Sequence, residues 1–177
     1  MNWFWKITKM KKIVFFLLVS LLFAAYSCKT TNKDLLNSGL AKYNMKDYKG
    51  AISDLNKAIE IDSSVCNSYV LRGMTKGAMG DYNGAILDFT RSIEIDPKDY
   101  EIYVFRGDAK YNLGDYRGSI LDFNFAIQIN SKDARCYYCR GISKIKIAEN
   151  ESACIDFNKS YELGFAEAIH ALKKYCK

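Results

Sequence analysis

The ten residues GDYNGAILDF at 80–89 are followed 34 positions later by GDYRGSILDF at 114–123. Sequence self-similarity at a period of roughly 20 to 50 residues marks a stacked repeat architecture, so the useful question is whether the register extends beyond this pair. One period back from Asp81 and Tyr82 stand Asp47 and Tyr48, with Ala51 in the slot of Ala85 and Leu55 in that of Phe89. One period forward from Asp115 and Tyr116 the turn signature decays to Glu149 and Asn150, yet Ala153 and Phe157 keep the register. Four windows result, 32–65, 66–99, 100–133 and 134–167, with no insertion between them.

Within each window the residue types prescribe a helical hairpin. Ala85, Ile86, Phe89 and Ile93 recur at helical spacing and give one apolar stripe. Gly80 and Gly114 suit the end of a first helix, where a positive φ is needed, and Asp81 and Asp115 suit the cap of a second. A lone hairpin cannot bury such a stripe, but stacked neighbours can, so the repeated letters specify a stackable unit.

The pattern resembles the tetratricopeptide repeat (TPR), which has a bulky residue, a Gly, then Ala-x3-Phe and a late Pro. The second window carries it most fully, with Tyr69, Gly73, Ala85, Phe89 and Pro97, and the counterpart glycines are Gly39, Gly107 and Gly141. The resemblance implies an all-α fold: a right-handed α-solenoid of about four helix pairs over 34–177, with a C-terminal capping helix at 166–176. In that cap Ile169 and Leu172 are expected to face inward.

Two slots depart from the family pattern. Arg72, Arg106 and Arg140 stand where Leu usually precedes the Gly, with Ser38 in the first window. Lys42, Lys76, Lys110 and Lys144 stand where Tyr usually follows it. A buried charge needs a partner, and each second helix supplies one acid at the same period: Asp54, Asp88, Asp122 and Asp156. We expect an internal Arg-to-Asp ladder, with the partner in either the same repeat or the next. The alternative is a basic ladder for an anionic polymer.

The ends carry different information. Residues 1–27 contain Lys6, Lys9, Lys11 and Lys12, no acid, and then the apolar run IVFFLLVSLLFAAYS. That is the composition of a secretory signal, and the run is shorter than the roughly 20 residues that span a bilayer. Met10 opens MKKIVFFLLVS, a sufficient signal by itself. Ala25, Tyr26 and Ser27 before Cys28 resemble the box of a bacterial lipoprotein, though that family prefers Leu at the first position and a small residue at the second. The resemblance implies lipid on Cys28, a polar tether over 28–33, and an exported protein of the bacterial cell envelope held at a membrane by its acyl chains. Ordinary cleavage after Ala25-x-Ser27 would leave Cys28 first without lipid.

Removing the leader takes four lysines and no acid, so the formal charge of +6 becomes +2 and nucleic acid is a poor candidate partner. A hairpin about Gly164 brings Cys154 near Cys176, and in an oxidising compartment a disulfide there would staple the cap to the repeats. Cys136 and Cys139 form a single CxxC with no second half-site, and the one His is His170, so these read as packing residues and no metal or cofactor is expected. The motifs of phosphate loops, nucleophile elbows and paired catalytic carboxylates are missing, which argues against an enzyme.

Function is therefore expected from a surface. In the family the first helices line a concave groove that binds peptides or protein segments. The corresponding positions here are Leu36, Leu40, Tyr43, Val70, Met74, Val104, Asp108, Tyr111, Tyr138, Ile142 and Ile145. This lining is apolar and aromatic and lacks the Lys and Asn clamp that some members use for a terminal carboxylate. A non-catalytic adapter for an amphipathic or extended apolar segment fits it. The alternatives are a structural subunit of an envelope assembly, or a polysaccharide binder stacking sugars on Tyr43, Tyr111 and Tyr138.

Overall fold

A computed structural model describes residues 31–176; the expected leader and Cys28 lie outside the described residues. Those residues form helices α1 (Asn32–Asn44), α2 (Tyr48–Ile61), α3 (Cys66–Ala78), α4 (Tyr82–Ile95), α5 (Tyr100–Leu113), α6 (Tyr116–Ile129), α7 (Ala134–Lys146), α8 (Asn150–Glu162) and α9 (Ala168–Tyr175). They pair as α1/α2, α3/α4, α5/α6 and α7/α8, and α9 packs on α8. Successive first helices, α1 with α3, α3 with α5 and α5 with α7, also touch directly. A stack joined in this way carries its first helices on the inner curve.

Local chemistry sets each turn. The side chains of Asp47, Asp81 and Asp115 accept hydrogen bonds from the backbone N–H groups of Gly50, Gly84 and Gly118 at 3.0, 2.9 and 2.9 Å. Each bond satisfies an N–H that the first helical turn leaves unpaired. A Cβ on these glycines would strike the capping carboxylate, so Asp-x-x-Gly acts as one unit. The preceding turn takes positive φ at Gly80 and Gly114, whereas the first and last repeats place Lys46 and Ala148 at φ 62°.

The pairs close through a small residue against a large one. A Cβ on Gly39, Gly73, Gly107 or Gly141 would sit 2.9, 2.8, 3.2 or 2.6 Å from a side-chain carbon of Leu55, Phe89, Phe123 or Phe157 respectively. Those four large side chains are buried. Ala51, Ala85 and Ala153 are fully buried beside them, and Ser119 fills that slot in the third repeat.

Both ends differ from the sequence expectation. Asn32 and Lys33, assigned to the tether, belong to α1, and the Asn32 side-chain amide donates to the Ala58 carbonyl at 2.6 Å. At the other end the helix starts at Ala168 rather than 166. Gly164 (φ 95°) and i→i+3 bonds from Ala168, Ile169 and His170 to Phe165, Ala166 and Glu167 wind the connection first. The buried face of α9 is Ala168 and Ala171, with Ile169 and Leu172 only half-buried. A disulfide joins Cys154 to Cys176, with the Cα atoms 5.7 Å apart. Among the described residues no helix is long and apolar enough to cross a membrane.

Two outcomes follow for urea unfolding. Gly141→Ala is expected to lower stability by about 1–3 kcal/mol and Gly107→Ala by less, because the added Cβ would sit 2.6 Å from the Phe157 ring in the first and 3.2 Å from the Phe123 ring in the second. Ala148→Gly is expected to raise stability by about 1 kcal/mol, since it relieves a left-handed non-glycine residue.

Candidate functional site

Among the described residues, clefts open on the inner curve at two places. Tyr43 of α1, Met74 of α3, Tyr82 and Phe89 of α4, and Phe105, Asp108 and Asn112 of α5 surround a space of about 320 Å³. A second, of about 130 Å³, lies among Asp108, Tyr111, Tyr138, Cys139 and Ile142. Asp108 is the charged residue lining both.

The expected groove residues distribute unevenly. Leu40 is exposed. Leu36 and Tyr43 lean on the core of the first repeat, Val70 and Met74 on that of the second, and Tyr138, Ile142 and Ile145 on that of the last. Val104 is a correction. It is 5% exposed and packs with Tyr103, Phe123, Ala126 and Cys136, so it belongs to the core. The three tyrosines considered for sugar stacking already have ring partners: Tyr43 on Tyr48 at 5.8 Å, Tyr111 on Tyr116 at 5.4 Å, and Tyr138 on Phe165 at 5.0 Å.

Asp108 is the electrostatic feature of this surface. Arg135 of α7 donates from Nη2 to its Oδ2 at 2.5 Å. Burial pushes the Asp108 carboxyl above the usual range, and Arg135 only partly offsets this. A raised folded-state pKa means the ionised form fares worse in the fold than in the unfolded chain. Near neutral pH Asp108 thus subtracts from stability, and the loss disappears as pH falls.

The cysteines are set for packing. Burial pushes the Cys136 and Cys139 thiols up to about 12, so both stay protonated at neutral pH. Burial also raises Cys66, whose thiol donates to the Ser92 carbonyl at 3.6 Å. Among the described residues no group of three His, Cys, Asp or Glu is placed to hold a metal.

Behind the groove lies the charge ladder, with both partners in the same repeat. Asp88 accepts from Arg72 Nε and Nη2 at 3.0 and 2.6 Å, and from Lys76 at 2.7 Å. Asp122 accepts likewise from Arg106 at 3.0 and 2.7 Å and Lys110 at 2.8 Å. Asp156 repeats the geometry with Arg140 at 2.9 and 2.5 Å and Lys144 at 2.8 Å. In the first repeat Asp54 takes Lys42 at 2.5 Å and the Ser38 hydroxyl at 2.6 Å. Lys42 and then Ser38 hold that carboxyl below its usual range. The stability it contributes is therefore present above the ordinary carboxylate pKa and is lost as pH falls through the lowered value.

Each Arg also reaches the preceding repeat. Nη1 of Arg72, Arg106 and Arg140 donates to Asn56, Thr90 and Asn124 at 2.7, 3.1 and 2.7 Å. The guanidinium carbons lie over the rings of Tyr69, Tyr103 and Tyr137, 5.5, 5.8 and 5.4 Å from their centroids. Sequence reasoning noted the lysines without pairing them to the acids, and it missed the Asn/Thr acceptors. The signal for both was the same 34-residue recurrence.

The comparisons agree with this architecture. The family profile of the tetratricopeptide repeat matches residues 35–65 and 67–99, the first two of the four windows. A comparison with curated proteins gives no match. Among solved structures, a crystal structure of MamA protein is 21% identical, covers 82% of this chain and 90% of its own, and superposes with a TM-score of 0.74. MamA from Desulfovibrio magneticus RS-1, residue 41 to the end, is 18% identical over 76% of each chain, with a TM-score of 0.73. The first TPR of Spaghetti (RPAP3), solved bound to the HSP90 peptide SRMEEVD, is 25% identical over 64% of this chain and 92% of its own, with a TM-score of 0.61. The fold is an all-α, TPR-like solenoid.

The ladder makes an asymmetric prediction. Asp122→Ala strands two cations and is expected to cost about 3 kcal/mol, whereas Arg106→Leu leaves Asp122 paired with Lys110 and costs at most about 1 kcal/mol. Equal losses in guanidinium titrations would contradict the shared-acid geometry.

Proposed function

We propose that this protein is a non-catalytic adapter that holds a protein segment in its inner groove, exported and tethered to a bacterial envelope membrane by lipid on Cys28. The observation that carries the binding reading is the cleft of about 320 Å³ on the inner curve, walled by aromatic and apolar side chains. Pockets of roughly 300 to 1,000 Å³ with such a lining and a few polar groups are what ligands and peptide anchors fill. The structural relative solved with an HSP90 peptide supports a peptide-sized occupant. The leader composition and the small residues before Cys28 support the tether, and acyl chains supply membrane affinity without a spanning helix.

The test is affinity capture from detergent-solubilised membranes with the natural chain and with a Met74→Glu, Tyr111→Glu, Ile142→Glu variant of unchanged helicity. A defined protein recovered with the first and lost with the second is the expected result; the same partners with both, or none with either, would sink the groove. In parallel, Cys28→Ser is expected to move the protein from the membrane to the soluble fraction.

A further inference from the structure

We propose that the cleft at Asp108 is an anchor pocket for a basic side chain, Lys or Arg, carried by an otherwise apolar peptide segment; this rests on the groove reading above. The carboxylate meets both clefts, and neither cleft is lined by a cationic residue. Its Oδ2 takes the one bond from Arg135, while its Oδ1 has no hydrogen-bond partner among the described residues. The Arg135 side chain is 52% exposed and that of Asp108 33%, and an ion pair so open to water contributes little. A second cation can therefore share the carboxylate or displace Arg135 at small cost.

The walls favour the same occupant. Tyr43, Tyr82 and Phe105 line the space, with Met74 beside them. Aromatic rings attract ammonium and guanidinium groups, and more strongly when water is excluded. Asn112 donates one amide hydrogen to the Asp108 backbone carbonyl at 2.8 Å, and its side-chain oxygen can accept from a ligand. A pocket with one carboxylate and aromatic walls takes a cation and disfavours a carboxylate, which would meet Asp108 as a like charge.

The experiment selects a phage-displayed library of random twelve-residue peptides on the full-length protein in detergent micelles, using the natural chain, Asp108→Asn and the triple groove variant. The expected consensus places one Lys or Arg among apolar residues. A synthetic consensus peptide should lose about tenfold in affinity when its basic residue becomes norleucine, a discrimination that shrinks to under about threefold in Asp108→Asn. A consensus that is purely apolar or acidic, or a discrimination unchanged in Asp108→Asn, overturns the anchor while leaving the groove reading intact. Selection of the same peptides by the triple variant, or of none by the natural chain, overturns both. Circular dichroism of Asp108→Asn is expected to match the natural chain.

Discussion

The contact on which everything else depends is the approach of one glycine in each first helix to one large side chain in the second. Gly73 against Phe89 and Gly141 against Phe157 bring two helices together with no room for a methyl group. That distance fixes the hairpin, the hairpin fixes the stacking interval, and the interval sets the spacing of every side chain on the inner curve. Because an array of this kind has only neighbour contacts, an error at one crossing stays local in energy but displaces the groove beyond it.

Against this apolar frame the ladder is a polar specification. An acid taken almost out of water is tolerable only with good partners, and Asp122, 1% exposed, has three charge-assisted bonds. Each Arg then spans two second helices, its own and the one before. Register between repeats is thus fixed by directional bonds as well as by shape.

Much of this was legible because it recurs. The 34-residue period gave the helix pairs, the caps and the matched rows of Arg and Asp. It did not give the partner of each Arg, for a physical reason: Arg72 lies 16 residues from Asp88 and also 16 from Asn56, so spacing alone treats the two sides alike. Val104 escaped because its slot is half-buried in the second repeat at Val70. In the third it is sealed by Cys136 and Tyr103. The start of α9 escaped because Phe165 turns back onto Tyr138, a tertiary contact with no local signal. The first cleft depends on how three repeats curve together and the second on how two do, which no single window encodes.

In the proposed function the inner curve, rather than the outer surface, meets the partner. Photo-crosslinking in cells tests it most directly, with benzoylphenylalanine placed at Met74 on the inner curve or at Leu121, which is 58% exposed on α6. The account predicts a discrete crosslinked protein from position 74 and none from position 121. A product from position 121 alone, or the same product from both, would contradict it.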